Sequence, residues 1–356
     1  MISLYQYKLP FLAPLRTGAG DILAREGILI RYQYRDLDLL SEASPLPGFS
    51  KETINSVIKD LITIKSQLDS FLTTPFSIEQ LNQFISGPAS IQFAISDLAR
   101  KVIQVRGDLP IIHPLFQSEK RSVFVNDIMG YHAPETTKRL ILSALDNGFK
   151  TIKIKAPKPD PDLAVVLREV YAHRPDVIFR LDANQSWDSE KLKSFNRHFK
   201  NLPIEYIEEP MSLRDDSEIN RISSLCEFPI ALDESITDIN HLTKLLNLHP
   251  DLFIIIKPML LGNIFKLSET LSTYRSSYKR VVITSSLESA VGLETISLLA
   301  ASLGDNSRAH GLNTGKLFRH NLITENGLNN GVLDMSNRSD SPITMDRMDQ
   351  SLLTLL

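Results

Sequence analysis

Short apolar runs recur through the second half of this chain, and helix-like text separates them. The runs are VFVNDIMG (123–130), TIKIKA (151–156), VIFRLDA (177–183), IEYIEE (204–209), PIALDE (229–234), LFIIIKP (252–258) and RVVITSS (280–286). The later intervals hold amphipathic stretches such as PDLAVVLREVYAHR and SEKLKSFNRHFKN. Strands alternating with helices about every 25 residues predict βα units around a parallel sheet. Seven or eight such units close a barrel of the triosephosphate isomerase type. An open doubly wound sheet is the alternative, but no GxGxxG follows the first strand, which counts against its dinucleotide-binding version.

The N-terminal part has another rhythm. ISLYQYKLPF and GILIRYQYRDLDLLSEA carry the aromatic and β-branched alternation of strands. The run SPLPGFS (44–50) breaks that pattern, and KETINSVIKDLITIKSQLDSFL reads as an amphipathic helix. Further helical segments are expected near 77–86 and 88–105. Together these predict an α+β capping domain over 1–121, followed by the βα barrel over 122–311. The polar C-terminal segment, 312–356, is expected to return to the first domain.

Composition narrows the function classes. Hydrophobic residues make up 42% of 356 and charged residues 23%, which is ordinary globular usage with ample core. A net charge of -3 favours neither nucleic acid nor an anionic membrane. The start MISLYQYKLPF lacks a signal-peptide layout, and no run approaches the ~20 apolar residues that span a bilayer. The single cysteine, Cys226, excludes an intramolecular disulfide and fits a reducing cytoplasm. The expected partner is therefore a small molecule, with no nucleic acid and no membrane.

The strand ends carry the chemistry. In TIKIK, Ile152 and Ile154 share one face while Lys153 and Lys155 share the other. A lone pair of this kind ordinarily faces water, but in a closed parallel barrel that face is the interior. Other strands end in charge as well: Arg180, Asp182 and Asn184 in RLDAN, Glu208 and Glu209 in EYIEEP, Asp233 and Glu234 in ALDES, and Lys257 in IIIKP. Barrel active sites sit at the C-terminal strand ends. Three converging carboxylates, Asp182, Glu208 and Asp233, repel one another unless a cation sits among them. An all-oxygen set of this kind suits Mg²⁺, with Mn²⁺ as the alternative.

The order KxK, DxN, EEP, DES and KP resembles the enolase superfamily, in its muconate-lactonizing subgroup, along essentially the whole chain. The resemblance implies an α+β cap over a modified barrel of seven βα units and a strand. It also implies proton abstraction next to a carboxylate. In that chemistry Lys155 is the general base, its pKa lowered by Lys153, Lys257 and the metal; Lys153 polarises the carboxylate, and Lys257 acts from the opposite side. Arg180, Asn184, Gly262, Thr284, Ser285 and Ser286 are expected to contact substrate. SPLPGFS, RLDANQSW and ITSSLESAVGL look most like a hydro-lyase branch that aromatises a hydroxycyclohexadiene carboxylate. Sister racemases, epimerases and cycloisomerases use the same lysines and ligands, and a barrel that binds a carboxylate without turnover is the reading from another class. Ala156-Pro157 and Thr284 depart from the branch's usual residues. The segments 17–20 and 44–49 are expected to close over the barrel mouth, with Leu46 and Phe49 as pocket residues. His113, His173 and His241 are expected at the surface or in packing.

Overall fold

Alternation over residues 2–43 gives three antiparallel strands in this computed structural model: β1 (Ile2–Thr17), β2 (Gly20–Tyr34) and β3 (Leu37–Ala43). The structure describes residues 1–17, 20–107, 115, 122–249, 251–274, 280–305, 307–323, 327–335 and 343–356. Side chains of opposite parity enter different cores. Ile2, Leu4, Ile28 and Ile30 pack into the main core, whereas Tyr7, Leu9, Leu29 and Leu40 meet Leu287 and Val291 of the barrel.

Three cap helices follow, α1 (Ile54–Thr73), α2 (Ile78–Phe84) and α3 (Ala89–Arg106). Reciprocal capping boxes, Thr53 with Ser56 and Ser77 with Gln80, start the first two. Gly107, at φ 68°, ends the third in the left-handed conformation that glycine adopts without strain. This third helix is buried along most of its length.

VFVNDIMG does not form one strand. It splits into β4 (Ser122–Phe124) and β5 (Asp127–Gly130). The barrel sheet then runs in parallel from β5 through β6 (Thr151–Lys155), β7 (Ile178–Asp182), β8 (Ile204–Glu208), β9 (Ile230–Leu232), β10 (Phe253–Ile256) and β11 (Val281–Ile283). Residues 310 and 311 fill the eighth position, since Gly311 bridges to Thr284 and His310 to Val125, both in parallel. The connecting helices are α4 (Pro134–Asp146), α5 (Pro161–His173), α6 (Ser189–Phe199), α7 (Ser217–Leu225), α8 (Ile239–Leu248), the short α9 (Pro258–Leu261), α10 (Ile264–Thr273) and α11 (Ala290–Leu303). Cap helix α3 packs against β3 on one side and α9 and α10 on the other, joining cap to barrel.

Inside the barrel, Tyr206, Ala231, Phe253, Ile255 and Val282 form a packed apolar layer. The C-terminal residues serve both parts of the molecule. The hairpin β12 (Leu328–Asn329) and β13 (Val332–Asp334) pairs with β4, and β14 (Leu353–Leu355) joins the cap sheet beside β1. No helix among the described residues is long and apolar enough to cross a membrane.

Candidate active site

Parallel register brings the charged strand ends into one ring. Lys155 is level with Asp182, and Asp182 with Glu208. Glu208 pairs with Ala231, so Asp233, two residues on, shares its inward face. Lys257 follows β10 with the parity of the interior residues Phe253 and Ile255.

These side chains form ion pairs across neighbouring strands and, for Lys153 and Glu208, across the strand between them. Lys155 Nζ lies 2.6 Å from Asp182 Oδ2 and donates to Asn184 Oδ1 at 2.8 Å. Lys153 Nζ sits between Asp182, at 3.0 Å, and Glu208, at 2.6 Å. Lys257 Nζ meets Asp233 Oδ2 at 2.5 Å. Access separates the lysines: the Lys155 side chain is 40% exposed, against 13% for Lys153 and 16% for Lys257. A ligand at the mouth therefore reaches Lys155 first.

The electrostatics follow from this pairing. Burial opposes the charge of Lys153, but Asp182 and Glu208 outweigh it and hold the ammonium well above the usual lysine range. Lys257 is likewise raised, with Asp233 and Glu234 overcoming burial. Burial works against ionised Asp182 too, yet Lys153 and Lys155 keep its carboxyl far below the ordinary value. Glu208 is pushed well up by burial and by the charge of Asp182. Lys153 and Lys155 share Asp182 Oδ2, at 3.0 and 2.6 Å, so these two lysines are brought together with a carboxylate between them, while Lys257 lies on Asp233.

Glu209 and Glu234, noted at the strand ends but given no role, shape the loop that carries Asp233. Glu209 is fully buried and accepts from the backbone N–H of Asp233 and of Ser235, both at 2.8 Å. Burial raises its pKa to about 8. Glu234 accepts from Asn184 Nδ2 at 2.8 Å. Asn184, at φ 45°, thus spans Lys155 and Glu234, its amide oxygen accepting from the lysine and its amide nitrogen donating to the carboxylate.

The remaining expected substrate contacts are placed otherwise. Arg180 lies one interior layer below Asp182 and is fully enclosed, with Nε 2.6 Å from Glu205 and Nη1 donating to Asn126 at 3.0 Å. Its guanidinium covers the Tyr206 ring at 4.9 Å. A one-residue register shift between β7 and β8 brings Glu205 beneath it. Thr284 Oγ1 donates to Gly311 O at 3.0 Å, towards the eighth strand position. Ser285 donates to Glu288 at 2.6 Å, and the Ser286 hydroxyl also donates to Glu288. Gly262, at φ 93°, ends α9 against Ala89 and Gln92 of cap helix α3.

Leu46 is buried in the cap–barrel core, while the Phe49 ring stands 5.2 Å from Lys257 Nζ. A cavity of about 130 Å³ opens here, lined by Phe49, Asp233, Glu234, Lys257 and Leu260. A larger hollow of about 440 Å³ lies between the cap sheet and residues 345–355, away from the strand ends. His173 is exposed, and His241 pairs with Asp216 at 2.9 Å. His113 and residues 18–19 lie outside the described residues.

The donor set suits a hard divalent cation, being entirely carboxylate oxygen. Glu234, beside Asp233 in sequence, keeps one buried oxygen without a hydrogen-bond donor. Among the described residues, however, no three acidic, histidine or cysteine side chains gather closely enough to hold one as they stand. Lysine ammonium groups lie on the carboxylates instead.

A closed parallel barrel under an α+β cap, with lysines and acids ringing its strand ends, defines an enolase-superfamily architecture. Residues 136–331, more than half of the chain, match the family model described as enolase C-terminal domain-like, and the chain belongs to that family. Residues 1–97 match a second model, described as MenC, N-terminal domain. Among curated relatives, the o-succinylbenzoate synthase of Vibrio cholerae serotype O1 (strain M66-2) is 27% identical over 338 residues, covering 90% of this chain and 91% of its own. Among solved structures, the o-succinylbenzoate synthase of Thermosynechococcus elongatus BP-1, complexed with Mg in its active site, superposes with a TM-score of 0.70 at 24% identity. That match covers 90% of this chain and 94% of the other. A dipeptide epimerase from Enterococcus faecalis V583, complexed with Mg and a dipeptide, gives 0.79 at 20% identity, covering 94% and 96%.

Proposed function

We propose that this chain is an o-succinylbenzoate synthase, a lyase that dehydrates 2-succinyl-6-hydroxy-2,4-cyclohexadiene-1-carboxylate to o-succinylbenzoate in menaquinone biosynthesis. One observation carries the choice. The barrel is common to racemases, epimerases and lyases of this superfamily, whereas the cap, which borders the substrate, matches the MenC N-terminal domain over residues 1–97. Relatives bearing the synthase name along 90% of the chain support the same reading.

Lys155, the most exposed of the three lysines, acts as the neutral amine and becomes the ammonium when it takes the proton from the ring carbon bearing the carboxylate. It then returns that proton to the departing hydroxyl, so water leaves and the new double bond completes the aromatic ring. Asn184 and Asp182 lie 2.8 and 2.6 Å from its Nζ and fix its direction. Lys257 stands four strands away in an eight-position barrel, on the other face of the ring, where its charge favours the electron-rich intermediate. Lys153, kept cationic by its carboxylates, draws charge towards the substrate carboxylate. Asp182, Glu208 and Asp233 would hold Mg²⁺, or Mn²⁺, which when bound stabilises the doubled negative charge of the deprotonated carboxylate as a Lewis acid.

The test is to incubate the purified chain with the hydroxycyclohexadiene substrate and Mg²⁺ and follow aromatisation by ultraviolet absorbance, with and without EDTA. EDTA-sensitive turnover, lost in a folded Lys155→Ala variant, is the expected result. Turnover that survives Lys155→Ala would remove the base. The opposed placement of Lys155 and Lys257 also suits proton transfer between two faces of one carbon. If the cyclohexadiene is inert but N-acylamino acids or dipeptides exchange their α-proton in D₂O, racemase or epimerase activity replaces the synthase.

A further inference from the structure

Arg25 occupies a position that the chemistry above does not use. It lies on β2, is fully buried, and spends all three sides of its guanidinium on main-chain carbonyls. Nε donates to Leu287 O at 3.0 Å, while Nη1 and Nη2 donate to Pro45 O and Ser44 O. Those carbonyls belong to two loops, one from the cap and one from the barrel, separated from Arg25 by 19–20 and 262 residues of sequence.

Both loops border Lys257. The cap loop turns tightly at Pro47-Gly48, with Gly48 at φ 81° and Phe49 N–H donating to Leu46 O at 3.0 Å. It thereby presents Phe49 to the Lys257 ammonium. The barrel loop begins at Thr284, whose N–H donates at 2.8 Å to Ile256 O, the residue before Lys257. Within that loop Leu287 sits at φ 70°, a conformation that a branched side chain holds only when its surroundings dictate it.

The surroundings here do so. Leu287 N–H donates to Ser285 Oγ at 3.0 Å, and Ser285 is in turn tied to buried Glu288. At the far end of the loop, Glu42 of β3 accepts from the N–H groups of Ser289 and Gly292, at 3.1 and 2.9 Å, where α11 begins. Tyr7, at 2.6 Å, completes the Glu42 shell from the cap. The guanidinium gives all these hydrogen bonds to carbonyls and meets the charge of buried Glu288 without a direct pair, an arrangement that an apolar side chain would replace more cheaply if only space had to be filled. What the fork geometry of arginine supplies is a fixed spacing between three acceptors.

We propose that Arg25 is a positioning residue that locks the cap loop and the barrel loop flanking Lys257 into one arrangement, and so sets how the substrate is received beside Lys257. The role in substrate binding rests on the proposed synthase reaction; the lock itself does not. A lysine at this position keeps the charge but cannot span three carbonyls.

The full chain carrying Arg25→Lys, with Arg25→Met as a second variant, tests the lock. Hydrogen–deuterium exchange is read without substrate, and kcat and KM are then measured with Mg²⁺ present. The expected result is at least tenfold faster exchange over residues 286–292, with exchange in β6 to β8 unchanged. KM for the cyclohexadiene should rise about tenfold while kcat changes less than about threefold, the split of a lost binding geometry. Unchanged exchange over 286–292 in a folded Arg25→Lys variant would overturn the lock. Faster exchange throughout the barrel would overturn it too, by making Arg25 a general structural support. Local loosening with KM unaltered would overturn the link to substrate binding. If the unsubstituted chain turns over no cyclohexadiene, the synthase reading fails while the exchange result still decides the lock.

Discussion

Arg180 offers a sharp test of how the barrel interior is organised, because sequence pattern places it at the substrate and the fold places it beneath. Replacing it with methionine keeps most of the volume and removes the charge. Breaking one side of a buried ion pair costs about 3–5 kcal/mol, since the partner is left uncompensated. Glu205 would retain Arg308, which puts the loss near the low end, about 3 kcal/mol. Unfolding entropy of ~2.1 cal/mol/K per residue over 356 residues gives about 0.75 kcal/mol/K. The melting temperature should therefore fall by about 4 °C. Calorimetry on Arg180→Met, with kcat and KM measured on the same preparation, checks this. The double variant Arg180→Met with Glu205→Gln should recover part of the loss, because neither charge is then stranded. A melting point within about 1 °C of the parent, together with KM raised tenfold, would refute the reasoning and return Arg180 to the substrate.

Three further outcomes are expected. Asp233→Asn should weaken Mg²⁺ binding in a calorimetric titration by at least about tenfold, and an unaltered titration would take Asp233 out of the ligand set. Gly292→Ala would bring a Cβ within 2.8 Å of Glu288 Cβ and 3.0 Å of Glu42 Oε2, so it should cost about 1–3 kcal/mol of overpacking; an unchanged melt would mean the start of α11 can move aside. Asp97 is buried between Arg100, at 2.9 Å, and Lys101, at 3.0 Å. Burial raises its pKa, but the two cations more than offset that and hold it below 3.8. Because the folded value is the lower one, its stabilisation is complete above about pH 4 and is lost as pH falls through the folded value. The melting difference between the parent and Asp97→Asn should therefore be constant from about pH 5 to 7 and shrink below about pH 4; a difference that grows on acidification would contradict the pairing.

The ring of charges at the strand ends was legible because two simple periodicities determine it. Alternation along a strand assigns Lys153 and Lys155 to one face, and parallel βα order aligns the C-terminal ends of successive strands. Where either regularity lapses, the expectation changes. The register shift opposite Arg180 inserts Glu205 into the interior and converts an expected substrate contact into an enclosed ion pair. Ser285 and Ser286 were legible as strand-end hydroxyls, but the acceptor they use lies two and three residues further on. Whether Glu288 can turn back to them depends on the left-handed backbone of Leu287, and nothing in a leucine announces that conformation.

The cap's contribution was hidden for a different reason. Arg25, next to Glu26, and Glu42 are charged residues in strand-like text, which a local pattern assigns to an exposed strand face. Their partners in the barrel are 262 and 247 residues away, so no window of sequence contains both ends of those contacts. The only local hint is the company they keep. Glu42 precedes the Pro-Gly loop by two residues, and Gly292 follows the ITSSLES run where no turn is needed. Gly292 adopts an ordinary helical start, and what demands glycine there is the close approach of Glu42 and Glu288 rather than the backbone. A glycine inside a helix without a positive φ thus marks where another part of the chain must come close. Here that part is the cap, and the approach is what ties β3 of the cap to the start of α11 in the barrel.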